Sequence, residues 1–201
     1  EEVINECSEL KLKSIIKILG EENDASRIAK NIIKTRIKKR ITKVYELVDI
    51  IEKSKKKNYT SKINPCTKTF QALRIFVNKE ITELISGIII ATKILKPGGK
   101  ILIISFHSIE DKIVKYFFSN FSSNKSKPSR YLPEGEDIST TALFDEYKNK
   151  ILKPTKKEID QNNRSRSAKL RYATRSKNKF SYPNELINKY KRYLDMEATY
   201  V

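Results

Sequence analysis

The apolar positions of residues 1–58 recur at helical spacing throughout, so this stretch reads as helices only. Val3, Ile4 and Cys7 lead into residues 10–19, where Leu12, Ile15, Ile16 and Leu19 share a face and Gly20 offers a stop. Asn23 or Asp24 can cap a second helix carrying Ile28, Ile32 and Ile33 and studded with Arg27, Lys30, Lys34 and Arg36. A third begins at Thr42, with Glu46 spaced for mutual capping and Val44, Leu47, Val48 and Ile51 as its apolar face. The basic run KSKKK at 53–57 and Asn58 close this module.

Asn64-Pro65 is a helix start, a cap followed by proline at the first helical position. Phe70, Leu73, Val77, Ile81, Leu84, Ile88, Ala91 and Leu95 then follow at spacings of three and four, which predicts one long helix ending at Pro97-Gly98-Gly99. Residues 100–106, KILIISF, form an apolar run without alternation, the pattern of a strand buried on both faces of a parallel sheet. Residues 108–121 follow as an amphipathic helix with Ile109, Ile113, Tyr116 and Phe117 inward. Helix, turn, strand and helix in this order predict α/β architecture, a slice of a doubly wound sheet. Residues 122–145, rich in Ser, Lys, Pro and Gly, read as a mobile loop. Extended pieces near 150–153 and 168–174, joined through a short helix at 155–161, suit an antiparallel pair closing the sheet. Three regions result: a helical module at 1–62, an α/β region at 63–175, and a basic, tyrosine-rich tail at 176–201 without a clear structural signal.

Charge sharpens this picture. The 201 residues hold 42 Lys and Arg against 24 Asp and Glu, a net charge of +18 that is costly in self-repulsion and suits a polyanionic partner. Heavy use of lysine, isoleucine and asparagine is also what an AT-rich genome would produce. The two cysteines, Cys7 and Cys66, lie far apart, and with a single histidine they offer no zinc-type or iron-type ligand set. That usage suits a reducing, cytoplasmic compartment. The longest apolar stretch, 85–95, is too short and too interrupted to span a bilayer. No signal-peptide pattern opens the sequence. Met196 is the only methionine, and the first residues already resemble a helix interior, so a longer parent protein is expected.

Candidate chemistry is sparse. Five glycines form no phosphate-cradling loop after a strand, and no paired carboxylates or activated nucleophile stand out, so no catalytic residue is assignable. Three polar features remain. Ser105 and His107 stand at the carboxyl end of the predicted strand, where open α/β sheets bind ligands; the alternative for His107 is a bond to a neighbouring loop. Ser108 and Asp111 fit a capping pair for the next helix. Thr67, Gln71, Arg74 and Asn78 form a polar stripe of directional hydrogen-bonding groups, or simply a solvated face. Arg164 and Arg166 in NNRSRSAKLR offer planar forks suited to phosphate or to a carboxylate at an interface.

Taken together, NPCTKTFQALRIFVNKEI, LKPGGKILIISFHSIEDKIVKYFF and NNRSRSAKLR resemble, in order and spacing, the downstream half of the bacterial 16S rRNA cytosine-N4 methyltransferases, the MraW or RsmH family. The resemblance covers about residues 1–175, and GEENDASRIAKNII is similar to the family's helical insertion. Cys66, Lys68 and Asn163 depart from the family's usual alanine, arginine and proline. The resemblance implies a Rossmann-like methyltransferase domain with a helical insertion, S-adenosylmethionine as cofactor, and 16S rRNA in the small ribosomal subunit as substrate. It further implies that the cofactor loop lies upstream of Glu1, that this chain is inactive alone, and it leaves room for a homodimer. Ser105, His107, Gln71, Arg74, Arg164 and Arg166 become the expected substrate-binding residues. Two other readings survive beside it: an RNA-binding module that has shed catalysis, and a basic structural protein of the ribosome.

Overall fold

The computed structural model describes residues 1–55, 64–124 and 142–198. The chain divides into two compact units, residues 1–82 with 192–201, and residues 83–191. The sequence boundary at 62/63 lies outside the described residues.

The first unit is helical. Helices α1 (Glu2–Glu6), α2 (Glu9–Leu19), α3 (Ala25–Lys38), α4 (Val44–Ser54) and α5 (Thr67–Asn78) follow in order, and α6 (Glu80–Ile94) begins here. Leu12, Ile15, Ile16 and Leu19 of α2 are fully buried, as are Ile28 and Ile32 of α3, so the helical spacing placed the core face correctly. Gly20 matters for closeness rather than for backbone twist. A Cβ there would stand 2.5 Å from the Lys68 carbonyl oxygen, so α2 can end against α5 only without a side chain. Glu46 closes the start of α4, its carboxylate accepting from the Thr42 and Lys43 amides at 3.1 Å each.

The long helix expected from 65 to 95 is broken. Lys79 adopts left-handed backbone at φ 51°, ending α5 and starting α6 afresh. Side chains supply what the break costs. Arg74 grips Glu80 with two bonds of 2.7 and 3.0 Å, and Asn78 donates to the same carboxylate at 3.2 Å. The fully buried carboxylate of Glu197 accepts from the Ile81 and Thr82 amides at 3.1 and 2.8 Å and from the Thr82 hydroxyl at 2.7 Å. That cap satisfies amides left orphaned at a new helix start. Glu197 belongs to a helix at Asn184–Ala198, in the region where the sequence carried no clear structural signal. Leu186 and Tyr190 of that helix are buried in the second unit, and the Tyr190 hydroxyl donates to the Lys112 carbonyl at 3.1 Å.

In the second unit, β1 (Lys100–Ser105) is followed by α7 (Ser108–Asn120), α8 (Lys156–Gln161), a 3-10 turn (Asn163–Ser167) and β2 (Lys169–Thr174); the helix at 184–198 is α9. Gly98, at φ 80°, makes the turn into β1. Among the described residues the strand expected to lie inside a parallel sheet has no parallel neighbour and one covered face. β1 pairs antiparallel with β2, Ile103 opposite Arg171 and Ser105 opposite Lys169. One face, with Ile101, Ser105, Arg171 and Ala173, is buried; on the other, Leu102 and Ile104 are 60% and 55% exposed. The expected antiparallel pair near 150–153 and 168–174 reduces to a single bridge between Leu152 and Leu170. The short helix after Thr155 forms as expected, the Thr155 hydroxyl accepting from the Glu158 amide at 3.2 Å.

Most of the loop expected at 122–145 lies outside the described residues. Its described end is not exposed: Leu143 and Phe144 are fully buried, and Phe144 packs edge-to-face on Phe117 and Phe118 at 5.3 and 5.2 Å. These rings form the core beneath α7.

Candidate functional site

The carboxyl end of β1 is where a ligand was expected. Ser105 is 2% exposed, and its hydroxyl donates to the Lys169 carbonyl across the strand pair at 3.3 Å. His107 stands at the N-cap of α7 in extended backbone. Its Nδ1 accepts from the Glu110 amide at 3.4 Å, while the Glu110 carboxylate accepts from the Phe106 and His107 amides at 2.8 and 3.3 Å. Glu110 also faces the His107 Nε2 at 3.4 Å. The capping box therefore consists of His107 and Glu110, one residue earlier than the Ser108 and Asp111 pair read from the sequence.

Displaced from capping, Asp111 does something else. One of its carboxylate oxygens accepts from Arg171 at 2.7 Å and the other from Lys169 at 3.0 Å. Arg171, 2% exposed, completes its fork on the Tyr147 hydroxyl at 3.1 Å and the Asn149 side chain at 2.8 Å. Burial pushes the Asp111 carboxyl up, but bonds from Arg171 and Lys169 outweigh it and hold the group below its ordinary value. Burial pulls the Arg171 guanidinium down, but its bonds to Asp111 and Tyr147 outweigh that and hold it above its ordinary value. This cluster ties the first turn of α7 to β2. Sequence reading assigned Asp111 a capping role and left Lys169, Arg171, Tyr147 and Asn149 without one. One signal was available: an arginine at an inward position of a short strand requires a buried partner.

Arg175, at the end of β2, is likewise spent. It is 5% exposed and donates to the carbonyls of Thr92, Leu143 and Asn178 at 3.2, 2.8 and 2.8 Å. Arg164 and Arg166 differ. Both are exposed on the 3-10 turn, and among the described residues neither guanidinium has a carboxylate partner. The turn itself is held firmly: the Asn162 side chain accepts from the Arg164 amide at 3.2 Å, and the buried Ser165 donates to the Asn162 carbonyl at 2.8 Å. The second unit thus brings together Ser105, His107 and the start of β2, with Arg164 and Arg166 on the turn that leads into that strand. Gln71 and Arg74 belong to the first unit, Gln71 half-buried and Arg74 exposed but paired with Glu80.

Residues 1–55, 64–124 and 142–198 include four glycines. Of the glycines among them, Gly20 is packed against Lys68, and Gly98 and Gly99 exchange backbone bonds with Arg175 at 2.8 Å. At the end of β1 the Ser105 hydroxyl and the His107 Nδ1 are both engaged in the fold.

A sequence model of the MraW methylase family matches residues 1–176. Proteins called ribosomal RNA small subunit methyltransferase H are similar over the same stretch. The one from Jannaschia sp. (strain CCS1) is 42% identical over 176 residues, 88% of this chain and 53% of the relative. The one from Bartonella grahamii is 44% identical over 175 residues, 87% of this chain and 52% of its own length. A third, from Caulobacter sp. (strain K31), is 37% identical over 175 residues, 87% of this chain and 54% of that protein. The chain spans about half the length of these curated relatives. No helix among the described residues is long and apolar enough to cross a membrane. With the three sequence motifs now placed on one strand end, one basic turn and one capped helix break, the chain belongs to the MraW methylase family.

Proposed function

We propose that this chain is the RNA-facing, downstream part of an rRNA methyltransferase that transfers a methyl group to N4 of a cytidine in 16S rRNA. The observation that carries the reading is the match over residues 1–176 to relatives named for ribosomal RNA small subunit methylation. A net charge of +18 supports a polyanionic substrate. S-adenosylmethionine would supply the methyl group, bound by residues outside those described. The exposed face of β1, with Leu102 and Ile104, supports a Rossmann-like sheet layered against further polypeptide.

The amine of cytosine is a poor nucleophile because its lone pair is drawn into the ring, so the base must be held in line with the methyl donor. This chain's contribution is holding. Arg164 and Arg166, exposed, without a carboxylate partner among the described residues and set on a hydrogen-bonded turn, grip phosphate with planar forks. Asp111, Arg171, Ser105 and His107 act as positioning residues that fix this turn and the first turn of α7 to one strand pair. Gln71 and Arg74 present a polar face on the helical unit. Possession of RNA affinity without transfer would mark the second reading, an RNA-binding module that has lost catalysis.

The test compares residues 1–201 with the protein extended by the polypeptide encoded upstream of Glu1. Each is incubated with methylated-donor label and small ribosomal subunits, and the modified nucleoside is identified by mass spectrometry. N4-methylcytidine made by the extended protein and not by residues 1–201 is the expected result. RNA binding without methylation by either would replace it with the second reading.

A further inference from the structure

The helical unit holds a cleft that the motifs do not account for. It lies between α3 and α4, has a volume of about 570 Å³, and is lined by Lys34, Lys38, Lys39, Arg40, Tyr45 and Lys53 among others. That volume falls within the roughly 300–1,000 Å³ of small-ligand sites. Two carboxylates, Glu46 and Asp49, also line it, against five cations. Both are already engaged, Glu46 with Lys39 at 2.8 Å and Asp49 with Lys53 at 2.6 Å. Arg40 turns to Glu1 and Glu6.

Lys34 and Lys38 remain, exposed, one helical turn apart, and without an ion-pair partner among the described residues. Like charges at this spacing work against their own helix, so an anion laid along them relieves a cost that the fold otherwise carries. Tyr45, 70% exposed, supplies an aromatic surface at the same cleft. Standing out from the cleft wall, that ring suits stacking of a base that is not already stacked in a duplex.

We infer that the α3–α4 cleft binds an unpaired stretch of RNA, its phosphates along Lys34 and Lys38 and one base stacked on Tyr45. The inference rests on the RNA-directed function proposed above, and adds to it the strand state of the RNA and a second contact remote in sequence from Arg164 and Arg166. An acidic protein segment would use the lysines and leave Tyr45 without a role. Duplex RNA would have no base to offer the ring.

The experiment is fluorescence anisotropy of a labelled twelve-nucleotide single strand, and of the same strand in a duplex, titrated with the whole chain over a range of salt. Tyr45→Ala should weaken single-strand binding about tenfold and leave duplex binding unchanged, and Tyr45→Phe should restore it. The pair Lys34→Ala and Lys38→Ala should flatten the slope of log K against log salt by about 1.4, two phosphate contacts at about 0.7 each. All these side chains are exposed, so circular dichroism should match the parent. Unchanged affinity and slope in these variants, with binding lost in Arg164→Ala and Arg166→Ala, overturns the cleft and leaves the RNA-directed function standing. Tighter binding of the duplex overturns the cleft as well. No RNA affinity in the parent chain overturns both.

Discussion

Arg164 and Arg166 stand within eleven residues of Arg171 and Arg175, in one basic stretch, yet the two pairs do opposite things. Arg171 and Arg175 are buried, and every donor direction described for them ends on a carboxylate, a hydroxyl, an amide oxygen or a carbonyl. Arg164 and Arg166 are exposed on a turn whose backbone is satisfied by Asn162 and Ser165. Strand parity makes the difference: Arg171 faces α7 from inside the pair, while the 3-10 turn lies before the strand begins. A count of positive charges treats the four alike. Burial sorts them into two that hold the fold and two that stay exposed.

The sharpest way to break this contrast is to remove the buried partner. Asp111→Ala strands Arg171 and Lys169 and should cost about 3–5 kcal/mol, read as a lower urea midpoint for unfolding of the second unit. A cost below about 1 kcal/mol would mean that Arg171 is held by Tyr147 and Asn149 alone. Next in size, Glu197→Ala leaves the Ile81 and Thr82 amides without their acceptor and should cost about 2–3 kcal/mol. Glu197→Gln keeps an acceptor oxygen and should cost less. Equal losses in the two variants would show that charge, and not the cap, carries the effect.

The exposed pair should behave in the reverse sense. Arg164→Ala with Arg166→Ala should shift stability by no more than about 0.5 kcal/mol each while lowering RNA affinity and the salt slope. Destabilisation comparable to Asp111→Ala would erase the distinction between the pairs.

The smallest effects are in pH. Asp111 has its folded pKa lowered, so its ionised form contributes stability above the ordinary carboxylate range, and that contribution disappears as pH falls through the lowered value. Glu46, bound by Lys39 and the Lys43 and Thr42 amides, is lowered from 4.5 to about 2, so its contribution fades between those two values. Glu46 is half-buried, but its partner Lys39 is exposed, so its share is screened by salt. An acid titration of thermal midpoint in Asp111→Asn should therefore show a shallower slope than the parent's, whereas Glu46→Gln should change it slightly and only at low salt.

Much of this architecture was legible in the order of residues. The core faces of α2 and α3, the cap at Glu46, the strand 100–105 and the helix after Thr155 follow from spacing and capping chemistry that act within a few residues. The family, too, was legible, because its motifs are short and local. Tertiary structure decided the rest. Periodicity runs unbroken through Lys79, and the break there depends on Glu197, more than a hundred residues away, capping a new helix start. The apolar run of β1 could not reveal which of its faces would be covered, since that depends on α7 and on antiparallel pairing with β2. His107 accepts at the cap of α7 through Nδ1, while Asp111, read from the sequence as a cap, holds a buried arginine. Local sequence specifies which backbone amides need partners and which faces are apolar. The partners for buried charges come from distant segments, because a buried ion is stable only where the folded chain supplies its counter-charge.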